Sequence, residues 1–264
     1  MFASRLLRLR RPLLASSVMA TTAAAGYSQC QGMFSSKPKV ELNYFSVQGA
    51  AETIRYVMVL GDCEWTEAGW PVDFSKFKGP ASLYLSDGPC PGFAAASADG
   101  ALAKNLGRAP VVVVDGKESI GQSKAIERYL ARRLGIMGAS DFEAAQIDAI
   151  TEHVRDLKDK YNKAKNVDKE KKEASVKEYF GKEMPEFFGK MEKALPAGVG
   201  PALVGSSLSY ADVTLFCFVV DYFTDKGASL AALDACPRLK ASVEAVGKHP
   251  GVVKYRAART NMAT

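Results

Sequence analysis

The sequence predicts a small mixed α/β unit followed by a longer all-helical unit. The run Val111–Val114 is too short and too β-branched for a helix, so it predicts a strand. Asp115-Gly116 is a dipeptide typical of tight hairpins, and residues 117–120 are therefore expected to return as an antiparallel strand. From about residue 138 onward, the apolar residues recur at helical spacing.

The α/β unit is expected over residues 38–136. Val40–Phe45 alternates as a strand, Ala50–Leu60 follows as an amphipathic helix, and Glu64–Val72 predicts a second strand. Together with the hairpin and a helix beginning near Ser123, the order β-α-β then β-β-α predicts a small mixed sheet with helices packed on it.

A long loop is expected at about residues 74–106, within the α/β unit. This stretch is rich in Gly, Pro, Ala and Ser, which are typical of turns and irregular segments. Ala94–Asn105 could form one short helix there, interrupted by Gly100.

The helical unit is expected over residues 137–264. Ser140 and Glu143 have the spacing of a capping box, which predicts a long helix through about Ala164. A second box, Ser209 with Asp212, precedes a strongly apolar helix. That apolar helix is expected over 213–223. The other expected segments are a charged turn at 166–172, a helix over 173–195 disturbed at Pro185, and two last helices over 237–246 and 250–256.

Charge and cysteine content exclude several classes of function. The chain has 35 basic and 29 acidic residues, and no acid occurs before Glu41. Residues 41–264 carry 29 of each sign, so they offer no charge excess to nucleic acid. The five cysteines have neither CxxC nor His-paired spacing, so no metal site is expected. No apolar run is long enough to span a bilayer.

Residues 1–37 have the composition of a targeting leader. On a helical wheel, Phe2, Leu6 and Leu9 share one face with the arginines mostly opposite, and Ser and Thr residues follow. This Arg-rich, Ser-rich and acid-poor pattern predicts a mitochondrial transit peptide. The alternatives are a secretory signal, targeting to another organelle, a floppy tail, or a cytoplasmic protein translated from Met19 or Met33.

The start of the helix at Ser123 predicts an anion site. The first turn of a helix offers unpaired N–H groups and the positive end of the helix dipole. Pro110 precedes the strand that leads into this turn, which places a peptide-like docking edge beside a seat for a carboxylate. An ordinary helix cap is the alternative for Ser123, because serine is common there without any ligand.

Three segments of the chain resemble a soluble glutathione transferase of the sigma-like class, which includes glutathione-dependent prostaglandin D synthases. They are LNYFSVQGAAETIRY at 42–56, RAPVVVVDGKESIGQSKAIERYLARRLGIMG at 108–138, and LSYADVTLF at 208–216. The resemblance covers about residues 38–264. It implies a thioredoxin-like N-terminal domain, an all-helical C-terminal domain, glutathione as co-substrate without a metal, and a homodimer.

The resemblance assigns roles to residues at both ends of the α/β unit. Tyr44 would donate its hydroxyl to the sulfur of glutathione, favouring the nucleophilic thiolate; the alternative is a strand tyrosine half-buried for packing. Gln122 and Ser123 would hold the γ-glutamyl carboxylate. Pro110 would be cis, turning the backbone of Ala109 to pair with the cysteinyl part of glutathione.

Further positions are assigned less directly by the same resemblance. Asp156 lies near the family acid that reaches the amino group of glutathione across the dimer interface, although the matched position itself holds Arg155. The glycine carboxylate could be held by Trp70, Lys104, Asn105 or Arg108. Val47, Gln48 and Tyr161 are expected to contribute to the pocket of the second substrate.

The implied activity is attack of the glutathione thiolate on an electrophilic carbon, or on a peroxide. A non-catalytic glutathione-binding or scaffold protein with the same fold is the main alternative, and Tyr44, Gln122 and Ser123 together favour catalysis. A prostaglandin-type isomerase is a further alternative. Ala50 stands where such members commonly have an arginine, which counts against that activity.

Overall fold

A four-stranded sheet forms the first half of the described chain. In the computed structural model, which describes residues 36–198 and 200–259, the strand order is β2-β1-β3-β4. The strands are β1 (Val40–Phe45), β2 (Trp65–Trp70), β3 (Val111–Val114) and β4 (Glu118–Gly121). β1 runs parallel to β2, whereas β3 is antiparallel to both β1 and β4. This is the predicted mixed sheet; residues 1–35 of the predicted leader lie outside the described residues.

Two helices of the α/β half follow from their apolar spacing. Helix α1 (Glu52–Leu60) buries Ile54, Val57 and Met58 completely, as its sequence pattern predicts. Helix α3 (Ser123–Arg133) contacts α1 and follows β4 directly. The ends of β1 and β4 therefore bring the segments after Tyr44 and before Ser123 to one side of the molecule.

The segment over residues 74–106, called the insertion below, is more ordered than a loop. Its helix α2 spans Pro91–Ala98, so the expected helix over 94–105 was placed too late. Pro91 begins the helix because its fixed φ suits the first position and its missing N–H has no partner to lose there. Gly100, with a φ of 79°, ends the turn that follows. Phe93, Leu102, Cys90 and Val111 form a small separate core beneath the insertion.

Seven helices form the second half of the described chain. Ser140 Oγ accepts from Glu143 N–H at 3.1 Å, which confirms the predicted cap, while Glu143 reaches back to Ala139 N–H at 2.7 Å. The helices are α4 (Asp141–Lys165), α5 (Lys169–Glu178), α6 (Met184–Ala194), α7 (Tyr210–Phe216), α8 (Lys226–Ala231), α9 (Pro237–Lys248) and α10 (Pro250–Ala258). Within the described part of the chain, no helix is both long and apolar enough to cross a bilayer.

Two π-helical turns account for differences from the predicted helices. The first, Tyr179–Glu183, interrupts the helix expected over 173–195, just before Pro185. Because Pro185 has no N–H to donate, the helix widens in the turn that precedes the proline. The second, Cys217–Asp221, continues α7. The charged turn expected over 166–172 is also shorter, because α5 begins within it at Lys169.

The core of the helical half is organised around a buried carboxylate. Asp212 is 0% exposed and completes the predicted capping box by accepting from Ser209 N–H at 2.8 Å and Ser209 Oγ at 2.7 Å. Its other oxygen accepts from Leu203 N–H at 2.9 Å and from Ser242 Oγ at 2.7 Å. One side chain thus ties the start of α7 to α9 and to the preceding loop.

Candidate active site

The hydroxyl of Tyr44 lies at the turn that follows β1. The Tyr44 side chain is 8% exposed, and its oxygen accepts a hydrogen bond from Ala50 N–H at 2.9 Å. Accepting that bond leaves the hydroxyl proton free to donate elsewhere. Burial raises the pKa of Tyr44 above its ordinary value, whereas the Ala50 N–H and the Arg55 charge act to lower it. The hydroxyl therefore stays protonated at neutral pH and can serve as a donor.

Close approach at this turn requires glycine at position 49. Gly49 has a φ of 44°, and a Cβ built on it would lie 2.5 Å from the Tyr44 hydroxyl oxygen. Any larger residue would strain the backbone and push the hydroxyl aside. The turn thus sets the position of Ala50 N–H relative to Tyr44.

The Arg55 side chain also holds this turn in place. Its guanidinium is 0% exposed, donates to Val47 O at 2.9 Å and Gln48 O at 3.3 Å, and pairs bidentately with Glu67 at 2.9 and 3.0 Å. The guanidinium carbon lies 5.9 Å from the centre of the Tyr44 ring. Sequence reasoning missed Arg55; the available signal was a charged residue next to Ile54 on the buried face of α1.

The start of α3 has the features of a ligand-binding turn. Gln122 has a φ of 70°, a conformation that costs a residue other than glycine about 1–3 kcal/mol and tends to occur at functional sites. Its side chain makes no capping hydrogen bond to the helix. Ser123 is the first residue of α3 and is half-buried. The first-turn N–H groups and the Ser123 hydroxyl can therefore receive an anion.

The segment before β3 presents an open backbone edge. The Ala109–Pro110 peptide bond is cis. Among the described residues, no hydrogen bond engages the N–H or carbonyl of Ala109. Asn105 is 4% exposed and donates to Pro110 O at 3.0 Å, so it supports this segment from inside.

The residues considered for the glycine end of glutathione have different surroundings. Trp70 packs against Phe45 and Phe93, with ring centres 6.0 and 5.7 Å away. Lys104 is exposed, and so is Arg108, whose Nε donates to Asn105 O at 3.4 Å. Asn105 faces the protein interior and not the solvent.

A cavity of about 340 Å³, called the central cleft below, lies beside Ser123 and the Gly49–Ala50 turn. Its remaining walls come from the first turns of α1 and α3, from α4, and from α7 with the π-helical turn after it. Gln48, one of the residues predicted for the second-substrate pocket, lines the central cleft, and Arg155 lines it from α4.

Several predicted residues are not in the lining of the central cleft, among them Tyr44, Pro110 and Gln122 and the three residues that follow here. Val47 contributes its carbonyl to Arg55. Asp156 is exposed on α4. Tyr161 packs in an aromatic cluster, with ring centres 5.2 Å from Tyr179 and 4.8 Å from Phe223. The structure therefore brings Gln48, Arg155 and Ser123 together but not these three side chains.

Comparison with known proteins assigns the class. Residues 155–259 match the family model described as "Glutathione S-transferase, C-terminal domain". The chain is 35% identical over 150 residues to glutathione S-transferase P 10 of Caenorhabditis elegans, which covers 57% of this chain and 68% of that protein. The chain therefore belongs to the glutathione S-transferase family.

Solved structures of the family share the fold. The monomeric glutathione S-transferase Na-GST-3 of the hookworm Necator americanus superimposes with a TM-score of 0.66 at 26% identity, covering 86% of this chain and 100% of that chain. The Pi-class glutathione S-transferase of Onchocerca volvulus gives a TM-score of 0.63 at 26% identity, covering 83% of this chain and 93% of that chain. The predicted fold, a thioredoxin-like half followed by a helical half, is confirmed.

Proposed function

We propose that this protein is a glutathione transferase that activates the thiol of glutathione for attack on electrophiles. The observation that carries the proposal is the Tyr44 hydroxyl, which accepts from Ala50 N–H at 2.9 Å and keeps its own proton for donation. In the same α/β half, the turn at Ser123 can bind a carboxylate and the backbone of Ala109 can pair with a peptide. Together they match the chemistry of a γ-glutamyl tripeptide.

Each part of glutathione has a partner in this proposal. Ser123 binds the γ-glutamyl carboxylate through its hydroxyl and backbone N–H, with Gln122 beside it. Ala109 pairs with the cysteinyl backbone in the manner of an added strand. Trp70, Lys104 and Arg108 remain the residues we propose for the glycine carboxylate.

Tyr44 stabilises the thiolate by donating a hydrogen bond to sulfur. Such a bond lowers the pKa of the thiol and raises the reactive fraction at neutral pH. The thiol proton leaves to solvent. The sulfur then forms a bond to the electrophilic carbon, and the leaving group, such as chloride, departs with its bonding pair. Reduction of a peroxide would begin with the same thiolate attacking oxygen.

Turnover of 1-chloro-2,4-dinitrobenzene by the wild type and by Tyr44→Phe tests the activity. A hydrogen bond to a charged group is worth roughly 1.5–3 kcal/mol, so kcat/KM should fall about 10- to 150-fold in Tyr44→Phe. Retention on immobilised glutathione should be unchanged. A wild type that binds immobilised glutathione but has no turnover would support the non-catalytic scaffold instead. If Tyr44→Phe changes kcat/KM only slightly, Tyr44 has no role in the mechanism.

We further propose a homodimer, supported by exposed apolar side chains. Leu106, three residues before Ala109 in the chain, is 83% exposed, and Phe142 is 74% exposed at the start of α4. Contiguous exposed apolar patches are typical of interaction surfaces, and we propose that these side chains belong to such a patch. In such a dimer, Asp156 of one copy would bind the amino group of glutathione held by the other.

Light scattering after size exclusion tests the dimer. The wild type should have twice the chain mass and Leu106→Ser that of one chain. If Asp156 acts across the interface, Asp156→Asn and Leu106→Ser should both raise the KM for glutathione. A monomeric wild type with unchanged glutathione affinity in Asp156→Asn would refute this proposal, and the monomeric hookworm relative shows that such a state occurs among similar structures.

The class within the family and the location in the cell are finer proposals. The sigma-like motifs support a sigma-like class, while Ala50 argues for conjugation over prostaglandin isomerisation; comparing the turnover of a prostaglandin endoperoxide with that of the aryl halide distinguishes the two.

The acid-free residues 1–37 support import into mitochondria. Fusion of residues 1–37 to a fluorescent protein tests the import, and a chain starting at Met33 should stay in the cytoplasm.

A further inference from the structure

The central cleft contains a cation with no carboxylate beside it. Lys158 projects from α4 into the cleft, and its ammonium lies 4.5 Å from the centre of the Tyr222 ring. Among the described residues, no carboxylate lies within salt-bridge distance of Lys158. Burial, together with the nearby Lys124 charge, lowers the pKa of Lys158. An unsatisfied positive charge thus faces the cavity.

The neighbouring cations of the cleft are already paired. Lys124 lies 2.7 Å from Glu127, and Arg155 lies 2.6 Å from Glu152. Glu127 acts on Lys158 through its charge without a hydrogen bond, and its carboxylate accepts from Lys124 and from Tyr210, the latter at 2.6 Å. Within the described part of the chain, Lys158 therefore differs from both neighbours in having an aromatic ring and no carboxylate as its partner.

The acidic residues that line the cleft are also engaged elsewhere. Glu52 pairs with Arg55 at 3.1 Å and with Arg259. Asp221 accepts from Arg259 at 2.9 Å on each of its oxygens. Since these carboxylates are neutralised by their own arginines, they leave the charge of Lys158 uncompensated.

The walls near Lys158 suit a flat apolar body. Phe218 stacks on Tyr222 with ring centres 5.5 Å apart and an angle of 27° between the rings. Cys217 adds a thiol whose pKa burial raises to about 12, so it stays neutral and unreactive. A cavity of about 340 Å³ with an aromatic wall and one unpaired cation fits an amphiphilic anion.

We propose that Lys158 is a specificity-determining residue that selects electrophiles bearing a carboxylate on an aromatic or unsaturated body. The inference rests on the proposed transferase function. The carboxylate pairs with Lys158 while the body extends along Tyr222 toward the Gly49–Ala50 turn, whose Ala50 N–H holds the Tyr44 hydroxyl. Lys158 binds the second substrate and takes no part in activating the thiol.

A matched pair of substrates tests this assignment. The probes are 4-phenyl-3-buten-2-one carrying a para-carboxylate and its methyl ester, which share one reacting carbon. In both, sulfur bonds to the β-carbon, the alkene electron pair moves to the carbonyl as an enolate, and a solvent proton completes the adduct. Only the charge at the far end differs.

Three variants separate charge from bulk. Lys158→Met should lower kcat/KM for the acid about tenfold, mainly through KM, because it removes a partly buried charge pair. For the ester, the same variant should change kcat/KM less than twofold. Lys158→Arg should restore most of the activity on the acid, and Lys160→Met, an exposed lysine on the same helix, should change neither.

These measurements distinguish failure of the proposed transferase function from failure of the Lys158 assignment. If the wild type conjugates neither probe nor the aryl halide, the proposed function fails. If the ester and the aryl halide react but Lys158→Met treats acid and ester alike, only the Lys158 assignment is overturned. A rise in the KM for glutathione in Lys158→Met would place the lysine in the glutathione seat, which also refutes the assignment. The melting temperature of each variant shows whether the fold is retained.

Discussion

Replacing Asp212 with alanine should destabilise the fold strongly, although the residue lies outside the active site. The Asp212 carboxylate is fully buried and accepts four hydrogen bonds, two from Ser209 and one each from Leu203 and Ser242. Alanine removes all four acceptor interactions at once. Two of the donors are hydroxyls that can turn to other partners, but two are backbone N–H groups that cannot.

The magnitude follows from the two stranded N–H groups. Each buried donor left without an acceptor costs about 1–3 kcal/mol, or roughly 4 kcal/mol together. Burial raises the pKa of Asp212, so the native protein already bears a desolvation cost that the variant no longer carries. A net loss of about 3 kcal/mol is therefore expected. For a chain of this size, that corresponds to a fall of about 6–12 °C in Tm.

Differential scanning calorimetry measures this fall, with two variants as references. Asp212→Asn keeps one oxygen acceptor and should lose about half as much as Asp212→Ala. Ser242→Ala removes a single hydroxyl donor and should cost about 1 kcal/mol. The reasoning is refuted if Asp212→Ala lowers Tm no more than Ser242→Ala does, because the stranded N–H groups would then have found other partners.

Three further outcomes are expected. Gly49→Ala should lower kcat/KM as Tyr44→Phe does, because the added Cβ would lie 2.5 Å from the Tyr44 hydroxyl oxygen. Gly100→Ala is the control: Gly100 also has a positive φ but has open space around it, so turnover should be unchanged. Equal rates in the two variants would show that the contact with Tyr44 is harmless. Because burial raises the pKa of Tyr44 above 10.0, the hydroxyl should remain a donor below that pH. A plot of kcat/KM against pH should therefore rise as the thiol ionises and should not fall by pH 9. An earlier fall would mean that Tyr44 ionises. Arg259→Met should cost about 3 kcal/mol in urea unfolding by stranding the buried Glu52 and Asp221, and a change below about 0.5 kcal/mol would show that their other partners suffice.

Local signals in the sequence account for most of the correct fold prediction. The hairpin at Asp115-Gly116 and the boxes at Ser140 and Ser209 depend on residues close in sequence, and each is found where expected. The role of Tyr44 came from the motif resemblance, whereas the anion site at Ser123 followed from the start of a helix; the structure places Tyr44 near the end of β1 and Ser123 just after β4. Such features can be read without knowing how distant segments meet.

The features that sequence reasoning missed depend on distant contacts. Arg55 was not predicted as a site residue, yet its bonds to Glu67 on β2 and to the carbonyl of Val47 make it the support of the Tyr44 turn. Lys158 is distinctive because, among the described residues, no acid lies within salt-bridge distance of it, although Glu127 and Asp221 line the same cleft. Whether an acid of another helix comes within reach of a lysine is decided by tertiary packing, which spacing along the chain does not reveal.

The aromatic contacts of Phe45 give the insertion a mechanical connection to the reaction centre. Phe45 follows Tyr44 in β1, with ring centres 5.2 Å apart, and its other side meets Phe93 of α2 at 4.9 Å. Tyr84 lies a further 5.1 Å beyond Phe93. Rings packed this closely cannot shift independently. A change in the packing of the insertion would therefore be transmitted through Phe45 to the strand that carries Tyr44, so substitutions around Tyr84 and Phe93 could alter turnover without touching the catalytic hydroxyl.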